Sequence, residues 1–232
     1  MQELSAFLDN MDWSSLVQLL LRVVAVLFCI VFHEVSHGVA AYLLGDPTAK
    51  AQRRLSLNPL RHIDPFGALM MLLVGFGWAK PVPVDVRYFK KPKSGMAITA
   101  LAGPLSNFVL AYVMMLLAYL CLGIFVVNEV PYSGVTQGVL DFCILTASLS
   151  IGLGVFNLIP FPPLDGSKIL GILLPDRIYY KVLRYEFAGT IILMALLWLG
   201  VLDVPLYAVR SFVSEGLMNL AQWPYDLITT MF

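Results

Sequence analysis

The chain has 232 residues, of which 59% are hydrophobic and 13% charged, with a mean hydropathy of +0.81. Soluble domains are nearer half apolar and a quarter charged, so this composition excludes an ordinary soluble fold and indicates an integral membrane protein with several spans in the lipid bilayer. The formal net charge of zero gives no global attraction to nucleic acid, and no nucleic-acid partner is expected.

In chain order, Glu3, Asp9 and Asp12 precede the first basic residue, Arg22. That charge is wrong for a cleaved signal peptide, so the first span, over 16–44, is retained. Arg22 reaches toward the outer interface. Gly45-Asp46-Pro47 ends the span, and a basic loop with Lys50, Arg53, Arg54 and Arg61 follows. The apolar stretch 66–79 is broken by Gly67, Gly75 and Gly77 and is too short to cross, which reads as a re-entrant element. Residues 80–86 alternate Val with other residues, as extended chain does.

A second span covers 96–127. A third runs over 139–174 and is interrupted by Pro160, Pro162 and Pro163, and a fourth covers 187–201. The tail 204–232 carries Leu206, Val209, Val213, Leu217 and Leu220 at roughly helical spacing, and could lie in the interface or pack on the bundle. Cys29, Cys121 and Cys143 lie in apolar runs without metal spacing and read as buried small hydrophobes. The expected fold is an all-α polytopic membrane protein. It has about four transmembrane helices, a re-entrant or β-hairpin element and a C-terminal amphipathic helix. The chain forms one domain over 1–232, with its core at 16–175 and its tail at 204–232.

Charge sets the expected orientation. Segment 50–93 holds nine of the 15 Lys and Arg, and Lys168, Arg177, Lys181 and Arg184 add four. With four spans and a non-crossing 66–79, both groups share one side. The positive-inside rule makes that side, including loop 45–95, cytoplasmic and places the N-terminus outside.

Within the first span lies His33-Glu34-Val35-Ser36-His37. Charge and imidazole are costly in hydrocarbon. Two His four apart share a helix face and can reach one metal ion, while the Glu between them can act as a base toward water. Ser36 points off that face. A catalytic zinc takes three protein ligands and keeps one position open. The best third ligand is Asp165, which stands after the proline break and before Gly166. The other reading of Asp165 is a cap on the short helix 167–174, and capping and metal ligation could coexist. Val35 lies nine residues from Leu44, about 14 Å at helical rise, and Asp165 lies ten from Pro175, about 15 Å if that piece is helical, so the two depths agree.

HExxH in a first core span followed by Leu164-Asp165-Gly166 in a later one resembles the site-2 protease family of intramembrane zinc metalloproteases. Asn157 ahead of the prolines, Gly103-Pro104-Leu105-Ser106-Asn107 and the stretch 77–84 are similar to it as well. The resemblance covers roughly 32–166 and implies one zinc ion (Zn2+) held by His33, His37 and Asp165, with Glu34 as general base. It also implies a multi-pass protein of a prokaryotic cell membrane. Its substrates would be the transmembrane segments of membrane-anchored regulatory proteins, cut near the cytoplasmic side. A minimal core form without PDZ or CBS domains is expected.

Other polar residues carry two readings each. Asn107 could stabilise an oxyanion or position substrate, or it could join helices by hydrogen bonding. Asn157 could bind substrate backbone or satisfy carbonyls freed by the proline break. His62 and Asp64 suit a loop-capping or supporting role better than ligation. Val82 and Val84 could offer a strand edge that holds an unwound substrate segment by its backbone. The competing class is a membrane metal-binding or transport protein, since His and Asp in spans can mark an ion path. No internal repeat of the transporter kind is present. A different HExxH membrane protease with a Glu ligand is the third reading, but Glu186 sits at a membrane edge.

Overall fold

The computed structural model describes residues 13–64, 66–67 and 80–231. In chain order its helices are α1 (Trp13–Leu43), α2 (Thr48–Ala51), α3 (Pro92–Val127), α4 (Val135–Asn157), α5 (Asp165–Leu170), α6 (Asp176–Arg184), α7 (Glu186–Trp198), α8 (Asp203–Ala221) and α9 (Trp223–Met231). Short 3-10 turns lie at Pro59–Arg61, Val86–Tyr88 and Gly171–Leu173. Among the described residues no β-strand forms, and residues 80–85 run as irregular chain.

Local sequence explains the helix ends. α1 stops at Gly45, whose φ of +104° suits glycine. There Gly45 N–H donates to the Tyr42 carbonyl at 3.0 Å and Asp46 N–H to that of Ala41 at 2.9 Å, a Schellman end. α3 opens with Pro92, which lacks the amide proton a first-turn residue does not need. α4 ends at Asn157, just before the proline run.

α1, α3 and α4 are each long and apolar enough to cross a membrane. α3 is central, with α1, α4, α8 and α9 packed around it. Ala111 and Ala147 are fully buried where helices cross, and a Cβ on Gly154 would press on the Phe108 ring at 2.8 Å. Small residues of this kind let helices approach closely in lipid. All three cysteines are free thiols inside or beside this core.

The fourth crossing departs from the expected single span over 187–201. α7 has 13 residues, about 20 Å, which is short of a hydrocarbon core of about 30 Å. It is bent by 86° against the α8–α9 segment, and only the bent pair together supplies a fourth span. The third apolar segment likewise divides, with α4 ending at Asn157 and α5 restarting at Asp165. From the tail stripe, Leu206, Val213 and Leu217 pack on the core, whereas Val209 and Leu220 are exposed. A spacing of seven and then four keeps the first three on one narrow face. The re-entrant reading of 66–79 falls largely on 68–79, and the N-terminal charge reading on 1–12, both outside the described residues.

One residue of the first basic group reaches the segment that carries the second. Lys93 Nζ pairs with Asp176 Oδ1 at 2.6 Å and donates to the Leu174 carbonyl at 2.6 Å, tying the start of α3 to the α5–α6 junction.

Candidate metal centre

α1 presents His33 and His37 one turn apart, and α5 presents Asp165 in its first turn. His33 Nε2 and His37 Nε2 are each 3.1 Å from Asp165 Oδ2, and 3.0 Å from one another. The three atoms form a nearly equilateral triangle. Tetrahedral zinc with bonds of about 2.0–2.2 Å separates its ligands by roughly 3.4 Å, close to these edges.

Hydrogen bonding decides what those atoms carry. Ser150 Oγ–H donates to the main-chain carbonyl of Asn107 at 2.8 Å, so its oxygen accepts from Asn107 Nδ2 at 3.0 Å. That orients the amide so that Asn107 Oδ1 faces His33 Nδ1 at 2.7 Å and accepts its proton. His37 Nδ1 faces the Thr99 carbonyl at 2.7 Å, which can only accept. Both imidazoles therefore hold their proton on Nδ1 and turn a lone pair from Nε2 toward a carboxylate oxygen. Three acceptors converge with no proton among them, and a cation is what such a site accommodates. The residues present fit zinc.

α3 packs tightly behind the ligands. A Cβ on Gly103 would overlap the His37 ring and come within 2.7 Å of His33 Cε1. Gly166 is equally constrained, because a Cβ there would strike the carbonyls of Leu158 and Ile159, where the proline-rich turn folds back to deliver Asp165.

The triad borders a cavity of about 350 Å³ lined also by Glu34, Val82, Val84, Asn157 and Lys168. Loop 80–85 forms one wall and is fixed at several points. Val82 N–H donates to Glu34 Oε2 at 2.8 Å. Arg54 Nη2 donates to the carbonyls of Lys80 at 2.6 Å and Pro81 at 3.1 Å. Lys80 N–H donates to the His62 carbonyl at 2.9 Å, and Asp85 N–H to Asp46 Oδ2 at 2.7 Å. Pro81 and Pro83 carry no amide proton, so within 81–84 only Val82 and Val84 can donate from the backbone.

The structure thus brings His33, Glu34, His37, Asp165, Asn157, Val82 and Val84 to one cavity. Asn157 spends Nδ2 on the Leu153 carbonyl at 3.0 Å. Asn107 is fully buried on the far side of His33. Ser36 bonds back to the Phe32 carbonyl at 2.7 Å. His62 stays in the loop frame, with Nε2 donating to the Ser56 carbonyl at 2.8 Å. Sequence reasoning missed Ser150, Arg54, Asp46 and Lys168. Ser150 left a signal as a polar residue in an apolar span. Arg54 left none, being one of several loop cations. Lys168 lies one turn after Asp165, with Nζ 3.8 Å from Asp165 Oδ1.

The model of peptidase family M50 matches residues 121–200, a stretch that contains Asp165 and ends well short of His33 on its N-terminal side. A longer match carries the comparison across most of the chain. The protein named "Putative zinc metalloprotease YwhC" of Bacillus subtilis (strain 168) is 38% identical over 174 residues, which are 75% of this chain and 78% of that protein.

The chain belongs to peptidase family M50.

As an M50 peptidase it is a multi-pass membrane zinc metalloprotease. No solved structure matches it. The M50 membership agrees with the site-2 protease resemblance carried by HEVSH and Leu164-Asp165-Gly166.

Proposed function

We propose that this M50 peptidase hydrolyses peptide bonds within transmembrane segments of membrane-anchored regulatory proteins, close to the cytoplasmic face. His33, His37 and Asp165 would hold the zinc ion, and Glu34 would be the general base. The observation that carries this reading is the convergence of His33, His37 and Asp165 beside Glu34 in one cavity. Zinc bound there supplies Lewis acidity toward a carbonyl and lowers the pKa of water.

The remaining steps belong to side chains and backbone. Glu34 takes a proton from water and passes it to the departing amine. Asn107 and Thr99 hold the imidazoles in one tautomer through Nδ1. A transmembrane helix hides its peptide bonds in its own hydrogen bonds, so it must unwind before it can be cut. Val82 and Val84 supply backbone groups on which an unwound segment can pair, and Asn157 lines the same cavity. Lys93–Asp176 pairing supports the placement of both basic groups on one side, which the positive-inside rule makes cytoplasmic. Val35, the centre of HEVSH, then lies about 14 Å inside that face. Residues 1–232 act as one protease domain, with α8 and α9 bracing the core.

The test reconstitutes wild type and Glu34→Gln with a transmembrane substrate and quantifies zinc in the same samples. Wild type cleaves, and the variant keeps zinc but does not cleave. Equal zinc with equal inactivity in both, across a broad substrate panel, would favour a metal-binding role instead.

A further inference from the structure

Thirteen of the chain's 15 basic residues sit in the two groups beside one membrane face, leaving Arg22 and Arg210. Arg210 lies in α8, and its Nη2 donates to Ser148 Oγ on α4. Ser148 has 13 residues of α4 before it and nine after it, and Cys29 of α1 lies at the same level, its Sγ 3.5 Å from the Thr146 carbonyl. Arg210 is therefore held at hydrocarbon depth, where an arginine is costly and marks a polar path or partner. Among the described residues Ser148 is the partner of its side chain, and Ser148 is neutral. A guanidinium has five N–H donors in a planar fork suited to a carboxylate.

Arg210 also lies on a groove. One cavity of about 580 Å³ runs between α4 and α8, and a second of about 330 Å³ runs between α1 and α4. Both are lined by Gly152, Phe156 and Arg210. The guanidinium lies against α4 at Gly152, where an added Cβ would meet Arg210 Cζ at an ordinary contact distance of 4.0 Å. The walls are otherwise mostly apolar, with Val26 and Ile30 on α1 and Leu206 on α8; Asp203 and Tyr207 lie at one end. Phe156 and Asn157 are consecutive at the end of α4, so the groove ends at the level of the helix at which the metal cavity begins, on a different face of α4.

We infer that this groove receives the substrate's transmembrane helix and that Arg210 selects one carrying an Asp or Glu within its span. The inference rests on the intramembrane protease reading above. Charge complementarity chooses the occupant, because an intramembrane carboxylate and an intramembrane arginine each relieve the other's desolvation. Depth argues against a lipid phosphate, which stays at the headgroups. Register follows from helical rise. Ser148 lies nine residues above Asn157 on α4, about 14 Å, and Cys29 lies four residues above His33 on α1, about 6 Å. The acidic side chain then sits roughly four to nine residues from the bond that is cut, on the side away from the basic loops.

The probe is a set of synthetic Leu/Ala transmembrane helices of about 20 residues carrying one Asp, Lys or Leu, with the position scanned along the span. Binding is measured to full-length Glu34→Gln in phosphatidylcholine nanodiscs, with zinc content confirming the fold of each variant. Asp at one register binds about tenfold or more tightly than Leu. Glu34→Gln/Arg210→Gln loses that preference, and Glu34→Gln/Arg210→Glu turns it toward Lys. Arg210→Lys in the same background keeps part of it. An Asp preference that survives Arg210→Gln overturns the inference, as does a preference that appears only with anionic lipid. Wild-type cleavage of the set without dependence on Arg210 overturns this inference alone. Absence of both binding and wild-type cleavage across the set overturns the protease reading with it.

Discussion

The main-chain N–H of Val82 donates to Glu34 Oε2 across 2.8 Å, joining the cavity loop to the acid of the HEVSH helix. A charge-assisted bond of this kind contributes about 1.5–3 kcal/mol. The same N–H is one of two backbone donors that 81–84 can offer a substrate, so a segment pairing there competes with Glu34 for it. Val82→Pro and Val84→Pro each remove a donor. Cleavage of a reconstituted transmembrane substrate should fall by about tenfold or more in either variant, while zinc content stays at the wild-type level. Unchanged cleavage would remove the strand-edge role of this loop.

Asn107 fixes the His33 tautomer, and Ser150 fixes Asn107. Asn107→Leu leaves the Nδ1 proton of His33 without an acceptor and should weaken zinc binding about 10–100-fold. Asn107→Asp keeps an acceptor and should lose less. Competition with a calibrated chelator reads both constants directly, and equal affinity for Leu and Asp variants would contradict the relay.

Gly103 gives the imidazoles the space they occupy. Gly103→Ala places a methyl in the His37 ring and should destabilise the site by about 1–3 kcal/mol. The expected outcome is reduced zinc stoichiometry together with a lower unfolding temperature in detergent. Gly138, whose added Cβ would meet nothing within 4 Å, is the control, and Gly138→Ala should leave zinc unchanged.

Arg54 acts at a distance from the metal by holding the carbonyls of Lys80 and Pro81. Arg54→Met keeps much of the apolar stem and removes both hydrogen bonds. KM for a transmembrane substrate should rise severalfold, with zinc content and the Asn107-dependent chelator constant unaffected. A pure loss of zinc would show that Arg54 supports the ligands instead of the loop.

Much of the site was legible from residue types and order. HEVSH declares its own geometry, because four-residue spacing stacks two imidazoles on one helix face whatever surrounds them. Asp165 could be singled out because a carboxylate late in an apolar segment needs a partner, and its match in depth to HEVSH depended on a helical path that α5 and the turn at Gly171–Leu173 provide. The fourth crossing was read too simply. Hydropathy over 187–201 reports that the chain prefers lipid, but a bend of 86° depends on what α7 and α8 pack against.

Composition, apolar run length and motif spacing alone determine that this is a polytopic helical membrane protein with two histidines and a glutamate on one turn of its first span. Those properties are local, since hydrocarbon solvation and helix periodicity act on each segment by itself. Only the tertiary structure decides that Asn107 turns to His33, that Arg54 and Asp46 brace the cavity loop, and that Arg210 lies on an intramembrane groove. Each of these joins residues from separate segments, and a one-dimensional pattern carries no information about which polar group satisfies which. In a membrane that pairing is set by packing, because buried donors and acceptors must find each other where water does not reach.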